Sequence, residues 1–208
     1  MKREEKVQQT RRKIMDYALK EFSECGYSAS SVNNMYDPEQ GISKGIIYHY
    51  FASKEELFLA CVRECFEQFK AYMQVHFAEN SSTMSVEECL TNYFAVRIKF
   101  FHEYPLYQRS FMETVFMPQG HLKDEIDIYR QPIKEMNTKI LEELLSRIPM
   151  RVSLDYHEVA RIFIQILHFV ELQYVTEEGS GLSIQALEEM NKQVLDILLN
   201  GIAERKDP

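Results

Sequence analysis

Glycine and proline are scarce in this sequence, with 7 and 6 occurrences among 208 residues, and tryptophan is absent. A protein built on β-sheets needs many tight turns, which are made mainly from glycine, proline, asparagine, aspartate and serine. Hydrophobic residues make up 45% of the chain and charged residues 27%, enough for a core and a solvated surface. The shortage of turn residues therefore predicts an all-α fold with no sheet.

Long hydrophobic runs are also missing. No stretch of about 18 apolar residues occurs, so we expect no membrane-spanning helix. The first five residues are mostly charged and lack an apolar signal core, which predicts a cytoplasmic protein. The four cysteines, Cys25, Cys61, Cys65 and Cys89, form no Cys-x-x-Cys pair and are expected to be thiols packed on helix faces.

Motifs for catalysis and metal binding are lacking as well. None of the six histidines lies three residues after a glutamate, so the Glu-x-x-His pairs of di-iron helical bundles are missing. The sequence has no glycine-rich phosphate loop and no nucleophile elbow. An enzyme is the alternative of a different class, and these absences argue against it. We expect no catalytic residues, no cofactor and no metal.

Charge is divided unevenly along the chain, whose net charge is −8. Residues 1–54 carry nine Lys/Arg and seven Asp/Glu, a net charge of +2, whereas residues 55–208 carry fifteen and twenty-five, a net charge of −10. This asymmetry suits a protein that touches DNA with its N-terminal end and keeps the remainder away from it.

Three helices are predicted within the first 51 residues. The first spans about 5–25, has an apolar stripe with a period of about four residues, and is ended by Gly26. Ser30 or Ser31 can cap a short second helix that reaches about Tyr36. A Pro/Gly-containing segment then interrupts the helix, and Ser43 caps a third helix that reaches about residue 51.

The third short helix carries the pattern of a helix-turn-helix. Ile47 and Phe51 lie four residues apart and can anchor it to the first helix. Lysine and tyrosine are good phosphate partners, histidine can meet a base edge, and glycine allows close approach of the backbone. The pattern also fits an ordinary turn-helix with solvent-facing polar groups. The outward side chains are those of Lys44, Gly45, Tyr48 and His49.

The segment from Gly41 to Leu57, GISKGIIYHYFASKEEL, closely resembles the signature of the tetracycline-repressor (TetR) family, and the apolar stripe of the first helix matches the same pattern. The resemblance implies a three-helix DNA-binding domain over residues 1–52. It also implies a ligand-sensing and dimerisation domain over residues 53–208, with about nine helices in all. The implied function is a transcriptional repressor that binds double-stranded operator DNA.

The family's DNA contacts can be carried over by position. The resemblance places a cap and phosphate contact at Ser30 or Ser31, and a phosphate-binding lysine at Lys54. Two departures are apparent, because Ile46 replaces a usual hydroxyl residue and the segment 36–40 is one residue longer than usual. Recognition-helix contacts fall on Ser43, Lys44, Gly45, Tyr48 and His49.

The C-terminal part is rich in aromatic residues and methionine, which suit a bulky apolar ligand. The resemblance implies a pocket here for a small apolar or aromatic effector, although any helical core uses the same residues. The predicted lining is Phe66, Phe69, Met73, Phe94, Phe101, Phe111 and Met112, with Glu113, His168 and Glu171 as polar groups that orient the ligand.

The last two helices are predicted to form a homodimer interface. The helix after residue 155 is apolar around most of its circumference, as expected of a helix buried on two sides, and the last helix has one apolar stripe. A four-helix interface would bury both. An alternative is a DNA-bound adaptor whose C-terminal domain binds a protein and no small molecule. The interface residues are Phe163, Ile166, Val170, Leu187, Met190, Val194, Ile197 and Leu198.

Overall fold

The computed structural model describes residues 3–78, 84–116, 120–149, 155–176 and 184–202. Within these ranges the chain is helical and has no strand, as predicted. The eight α-helices are α1 (Arg3–Ala29), α2 (Lys44–Tyr50), α3 (Lys54–Ala78), α4 (Val86–Glu103), α5 (Pro105–Phe116), α6 (Lys123–Leu145), α7 (Tyr156–Thr176) and α8 (Ile184–Ile202).

One predicted helix is shorter than expected. The segment between α1 and α2 forms a single 3-10 turn, Val32–Asn34, and a second 3-10 turn, Gly120–Leu122, precedes α6. The first turn cannot extend, because Asp37 and Ile42 pair through two backbone hydrogen bonds of 2.8 Å and draw the chain back on itself. The predicted second helix is therefore replaced by a turn and a tight hairpin.

Three helices begin at side-chain caps, and the cap predicted at Ser43 is confirmed. The Ser43 hydroxyl accepts a hydrogen bond from the Ile46 amide at 3.2 Å. Ser85 and Glu88 form a reciprocal capping box, with bonds of 3.2 and 2.8 Å. In the box that opens α3, the Ser53 hydroxyl caps the Glu56 amide, but the Glu56 carboxylate accepts from the amide of Ala52.

Gly26 interrupts α1 where the sequence predicted its end. Its φ of +71° and ψ of 171° belong to a region that is essentially restricted to glycine. Helical hydrogen bonding resumes after this kink, so α1 extends to Ala29.

The chain forms two compact units. The first unit comprises residues 1–68 and 104–130, and in it α1 packs on α5. The second unit comprises residues 69–103 and 131–208, and in it α4 packs on α8. The division predicted from the sequence lies at the end of the helix-turn-helix motif, between residues 1–52 and 53–208, whereas the two units above are defined by spatial contacts. The predicted domain division therefore stays a prediction.

The two cores differ in character. The first unit buries an aliphatic and aromatic stripe of α1, with the Phe22 ring 5.0 Å from that of Phe58. The second unit is centred on Phe69, whose ring lies 5.2 Å from that of Phe100. The buried Arg97 guanidinium lies 5.0 Å above the Phe69 ring. No helix in the described ranges is long and apolar enough to span a membrane.

Candidate nucleic-acid interface

Helix α2 presents its polar side chains to solvent, as the sequence predicted. Ile47 and the C-cap residue Phe51 are buried in the first unit and hold the helix in place. Lys44, Gly45 and His49 are exposed, and 46% of Tyr48 is accessible. A short helix with an exposed lysine, glycine, tyrosine and histidine has the donors needed for phosphates and base edges.

The hairpin that precedes α2 is fastened to α1 by Asp37. One carboxylate oxygen accepts a hydrogen bond from the Tyr17 hydroxyl at 2.5 Å. The other accepts from the amides of Glu39 and Gln40 at 3.0 and 3.1 Å, forming an Asx turn. The lengthened segment 36–40 is therefore an ordered hairpin that fixes where α2 begins.

The hydrogen bond between Tyr17 and Asp37 shifts the pKa values of both side chains. The hydrogen bond from Tyr17, followed by one from the Gln40 amide, lowers the pKa of Asp37. The same hydrogen bond to the carboxylate, together with burial, raises the pKa of Tyr17. The pair is thus held as a neutral phenol and an ionised carboxylate.

Of the two serines considered for the second cap, Ser31 has that role. Its hydroxyl accepts a hydrogen bond from the Asn33 amide at 3.2 Å. Ser30 is buried and donates to the Tyr27 carbonyl at 2.8 Å. The prediction of a DNA contact at Ser30 is therefore corrected, because its hydroxyl is used inside the first unit.

Lys54 ties the start of α3 to the end of α1. Its ammonium donates to the carbonyls of Tyr27 and Ser30 at 2.7 and 3.1 Å, and it lies 4.6 Å from the centre of the Tyr27 ring. A lysine has three donors, so these two bonds leave one for another acceptor. The phosphate contact predicted at Lys54 stays a prediction, and the structure adds a positioning role.

Glu113 and Arg109 of α5 form hydrogen bonds with the backbone at the same end of α1. The Glu113 carboxylate accepts from the Tyr27 amide at 3.0 Å, and the Arg109 guanidinium donates to the Glu24 carbonyl at 2.5 Å. A Cβ atom added at Gly26 would lie 2.1 Å from a Glu113 oxygen. The ligand role predicted for Glu113 is therefore corrected, because its carboxylate satisfies the backbone at the α1 kink.

Two arginines of the basic N-terminal region are engaged within the first unit. Arg12 pairs with Asp16 and Glu64 at 2.5 Å, and the hydroxyl of Tyr107 donates to the same Glu64 carboxylate. Arg11 lies 5.0 Å above the Phe51 ring. These contacts support α1 and the end of α2, so the positive charge here also has a structural role.

The seven apolar residues predicted to line an effector pocket are buried, but the structure divides them between the two units. In the first unit the Phe66 ring lies 5.3 Å from that of Phe111, and in the second Phe69 stacks on Phe101 at 5.7 Å. The side chains of His168 and Glu171 lie outside the described residues. Of the seven apolar candidates, Phe94 alone lines the described cleft between α4 and α8.

The predicted dimer residues fall into three groups. Phe163 is 1% exposed and packs inside the second unit, so its assignment to the interface is wrong. Ile197 is 71% exposed on α8. The side chains of Val170 and Leu187 lie outside the described residues. Partly exposed positions are Ile166, Met190, Val194 and Leu198.

Sequence reasoning missed two asparagines of the second unit. Asn92 and Asn191 line the cleft between α4 and α8, and each has a buried side-chain atom without a hydrogen-bond partner. Asn191 lies four residues before the buried Leu195, on the inner face of α8. A polar residue within an apolar stripe was the signal that could have drawn attention to it.

Comparison with known proteins identifies the N-terminal region. Residues 14–61 match the family of bacterial regulatory proteins named tetR. The chain is 25% identical over 163 residues to IcaR, the biofilm operon icaADBC HTH-type negative transcriptional regulator of Staphylococcus epidermidis, covering 78% of this chain and 80% of that protein. It is 39% identical over 61 residues to the HTH-type transcriptional repressor Rv1474c of Mycobacterium tuberculosis, covering 29% and 32% respectively.

Solved structures share the fold over most of the chain. The transcriptional regulator FadR of Bacillus subtilis, in complex with stearoyl-CoA, aligns with a TM-score of 0.72 and 19% identity over 91% of this chain and 98% of that one. A TetR-like transcriptional regulator from Rhodococcus aligns with a TM-score of 0.69 and 18% identity, covering 92% and 96%. At these identities the likeness concerns the fold.

Proposed function

Because the chain belongs to the TetR family of bacterial transcriptional regulators, we propose that it is a repressor that binds a palindromic operator as a homodimer and leaves it when a small effector binds. The observation that carries this proposal is the exposed face of α2. Lys44, Tyr48 and His49 project from a helix that is capped at Ser43 and anchored by Ile47.

The repressor role is supported by the names of similar proteins. IcaR is a negative transcriptional regulator, and Rv1474c is a transcriptional repressor.

The homodimer is supported by exposed apolar side chains on α7 and α8. Ile162 and Phe169 of α7 are accessible, and so is Ile197 of α8. Apolar residues on α7 and α8, which follow each other in sequence, suit a symmetric four-helix interface. Two copies of α2 would then meet two half-sites, which must be one helical turn or a multiple of it apart.

Effector release follows from linkage. A ligand that prefers a state with wrongly spaced copies of α2 weakens DNA binding by the same factor by which DNA weakens ligand binding. The B. subtilis FadR structure holds stearoyl-CoA, so a protein of this fold can bind a small molecule. A coupling free energy of about 1–3 kcal/mol is typical of such systems.

Selection of random duplex DNA on the purified protein tests the proposal. We expect enrichment of a sequence with two-fold symmetry by the wild type, and no enrichment by Lys44→Ala combined with Tyr48→Ala. The same substitution pattern at exposed residues of α6 and α7, Lys139→Ala combined with Tyr156→Ala, serves as the control and should leave enrichment unchanged. Equal enrichment by all three proteins would exclude α2 as the reading helix.

Light scattering tests the dimer in the same preparation. Ile197→Glu places a carboxylate in the proposed interface and should shift the protein to a monomer, because an unpaired buried charge opposes association. Ile128→Glu is the matched control, since Ile128 of α6 is 68% exposed against 71% for Ile197. A monomeric wild type at micromolar concentration would contradict the dimer.

A further inference from the structure

The second unit contains a cleft of about 530 Å³ between the start of α4 and the middle of α8. Its volume falls within the range of about 300–1,000 Å³ that is usual for small-molecule sites. Of the aromatic side chains predicted to form a pocket, Phe94 is part of the wall of this cleft. The cleft is lined by Met84, Glu87, Glu88, Thr91, Asn92, Phe94, Ala95, Asn191 and Lys192.

Two asparagines that line this cleft each have one buried amide atom without a hydrogen-bond partner. Asn191 is only 5% exposed, and its buried side-chain oxygen has no donor. The buried side-chain nitrogen of Asn92 has no acceptor. An unsatisfied buried amide destabilises a fold, so such groups are rare and call for a specific explanation. The two asparagines line the cleft from opposite helices, and each has one unpaired polar atom buried in the wall, a donor in Asn92 and an acceptor in Asn191.

The charges at the cleft disfavour an anionic ligand. Glu87 and Glu88 are exposed on α4, against a single lysine, Lys192, on α8. Glu88 accepts a hydrogen bond from the Ser85 amide, which lowers the pKa of this carboxyl and keeps it ionised. Phe94 and Ala95 add an apolar part to the wall. A phosphate or a fatty-acid carboxylate would meet a net negative rim.

We propose that this cleft binds a small uncharged molecule with an amide edge, such as a lactam, a cyclic urea or a pyrimidine. The side chains of Asn92 and Asn191 turn toward the cleft on binding. The carbonyl of the edge then accepts from Asn92, the adjacent N–H donates to Asn191, and the short apolar part lies against Phe94. Binding requires only the cleft, whereas the ligand's role as effector rests on the proposed function. Such a ligand differs from the bulky apolar effector that the aromatic content of the sequence predicted.

The position of the cleft separates it from the proposed dimer face. An α-helix turns by about 100° per residue, so Asn191 and Ile197 lie about 120° apart around α8. Asn191 faces α4 within its own chain, whereas Ile197 is exposed. A ligand can therefore occupy the cleft of each copy, and tightening α4 against α8 would act on a helix that the interface also uses.

The test uses 2-pyrrolidone and uracil as probes, with binding followed by amide NMR of the full-length protein. We expect saturable shifts of residues at the start of α4 and in the middle of α8. N-methyl-2-pyrrolidone lacks the N–H donor and should bind about tenfold more weakly, as expected for the loss of one buried hydrogen bond. Asn191→Leu should weaken the binding of 2-pyrrolidone and of uracil, each by about tenfold.

Asn137→Leu is the matched control. Asn137 of α6 is 3% exposed and also has a side-chain oxygen without a partner, but it does not line the cleft. Its substitution should leave probe binding unchanged. Asn92→Leu serves as a second cleft variant if Asn191→Leu does not fold. Equal losses at residues 137 and 191, no preference for the N–H probe, or an absence of shifts in the cleft would each overturn the proposal.

A parallel operator titration separates this proposal from the proposed function. Probe binding together with weaker operator binding supports both. Probe binding by a protein that selects no DNA supports the cleft and contradicts the repressor. Probe binding without any change in operator affinity supports the site but contradicts its role as the effector site. If the cleft holds only ordered water and no probe at millimolar probe concentration, the proposed site is wrong.

Discussion

The first and second units of this chain differ in the kind of contact that stabilises each of them internally. In the first unit, side chains bind the backbone of a helix distant in sequence, as when Lys54 donates to the Tyr27 carbonyl and Glu113 accepts from the Tyr27 amide. In the second unit, the centre is a cluster of rings around Phe69, with the Arg97 guanidinium stacked on it.

The difference fits the roles proposed for the two units. A reading helix must be held at a fixed angle and height, and directional hydrogen bonds at the end of α1 and at the hairpin before α2 provide this. Ring packing is less directional and tolerates small rearrangements around a ligand. The first unit is therefore expected to respond to the loss of single polar contacts, and the second unit to the loss of packed volume.

The largest effect is expected at the centre of the second unit. Phe69→Ala removes a fully buried ring and should lower the free energy of unfolding by about 3–5 kcal/mol. Val75→Ala on the same helix is the control, because Val75 is 54% exposed and should change stability little. Urea unfolding measures both. A loss below about 1 kcal/mol for Phe69→Ala would mean that the ring cluster does not hold this unit together.

A smaller effect is expected at the α1 kink in the first unit. Gly26→Ala forces an alanine into a glycine-only conformation and displaces the Glu113 carboxylate from the Tyr27 amide. Together these should cost about 2–4 kcal/mol of stability. Operator affinity should fall at temperatures where the protein remains folded.

Gly45→Ala provides the matched control for the kink. Gly45 has ordinary helical geometry, and an added Cβ would meet only the Ser43 hydroxyl at 3.9 Å. This substitution should be neutral or slightly stabilising, yet it should weaken operator binding if the backbone of α2 approaches DNA closely. Equal stability of the two variants would contradict the role assigned to the kink.

The smallest effect is expected at the hairpin, and it depends on pH. The lowered pKa of Asp37 contributes stability above the ordinary pKa of a carboxyl, and this is lost as pH falls through the lowered value. The raised pKa of Tyr17 contributes stability below the ordinary pKa of a phenol, and this is lost as pH rises through the raised value. Tyr17→Phe should therefore destabilise the protein at neutral pH. It should also weaken the pH dependence of the free energy of unfolding in both the acid and the alkaline range.

Urea unfolding from acid to alkaline pH checks this prediction, with Tyr36→Phe as the control. Tyr36 is adjacent to the hairpin and exposed, so its variant should follow the wild-type profile. If Tyr17→Phe also follows that profile, the contact with Asp37 does not fasten the hairpin.

Sequence reasoning succeeded where the determinants are local. Ser43 and Gly26 act on residues within a few positions, so the sequence alone predicted the start of α2, which the structure confirms, and the position of the kink in α1, although that helix continues to Ala29. The match of residues 14–61 to the family explains why the DNA-binding motif was recognised from its pattern.

Sequence reasoning failed where partners are distant. Glu113 binds a backbone amide 86 positions away, so an acid within an apolar segment was interpreted as a ligand group. Phe163 belongs to a helix that is apolar nearly all round, and periodicity cannot tell its inner side from its outer side. The amides of Asn92 and Asn191 became a candidate site only when α4 and α8 were placed together.

The most direct test of the reading role of α2 is operator affinity measured against salt concentration. Removing one cation that binds phosphate should reduce the slope of log affinity against log salt by about 0.9. We expect this reduction for Lys44→Ala in fluorescence anisotropy titrations, whereas Lys139→Ala, which removes an exposed charge from α6, should keep the wild-type slope. Wild-type slope and affinity in Lys44→Ala would contradict the assignment of α2 as the DNA-reading helix.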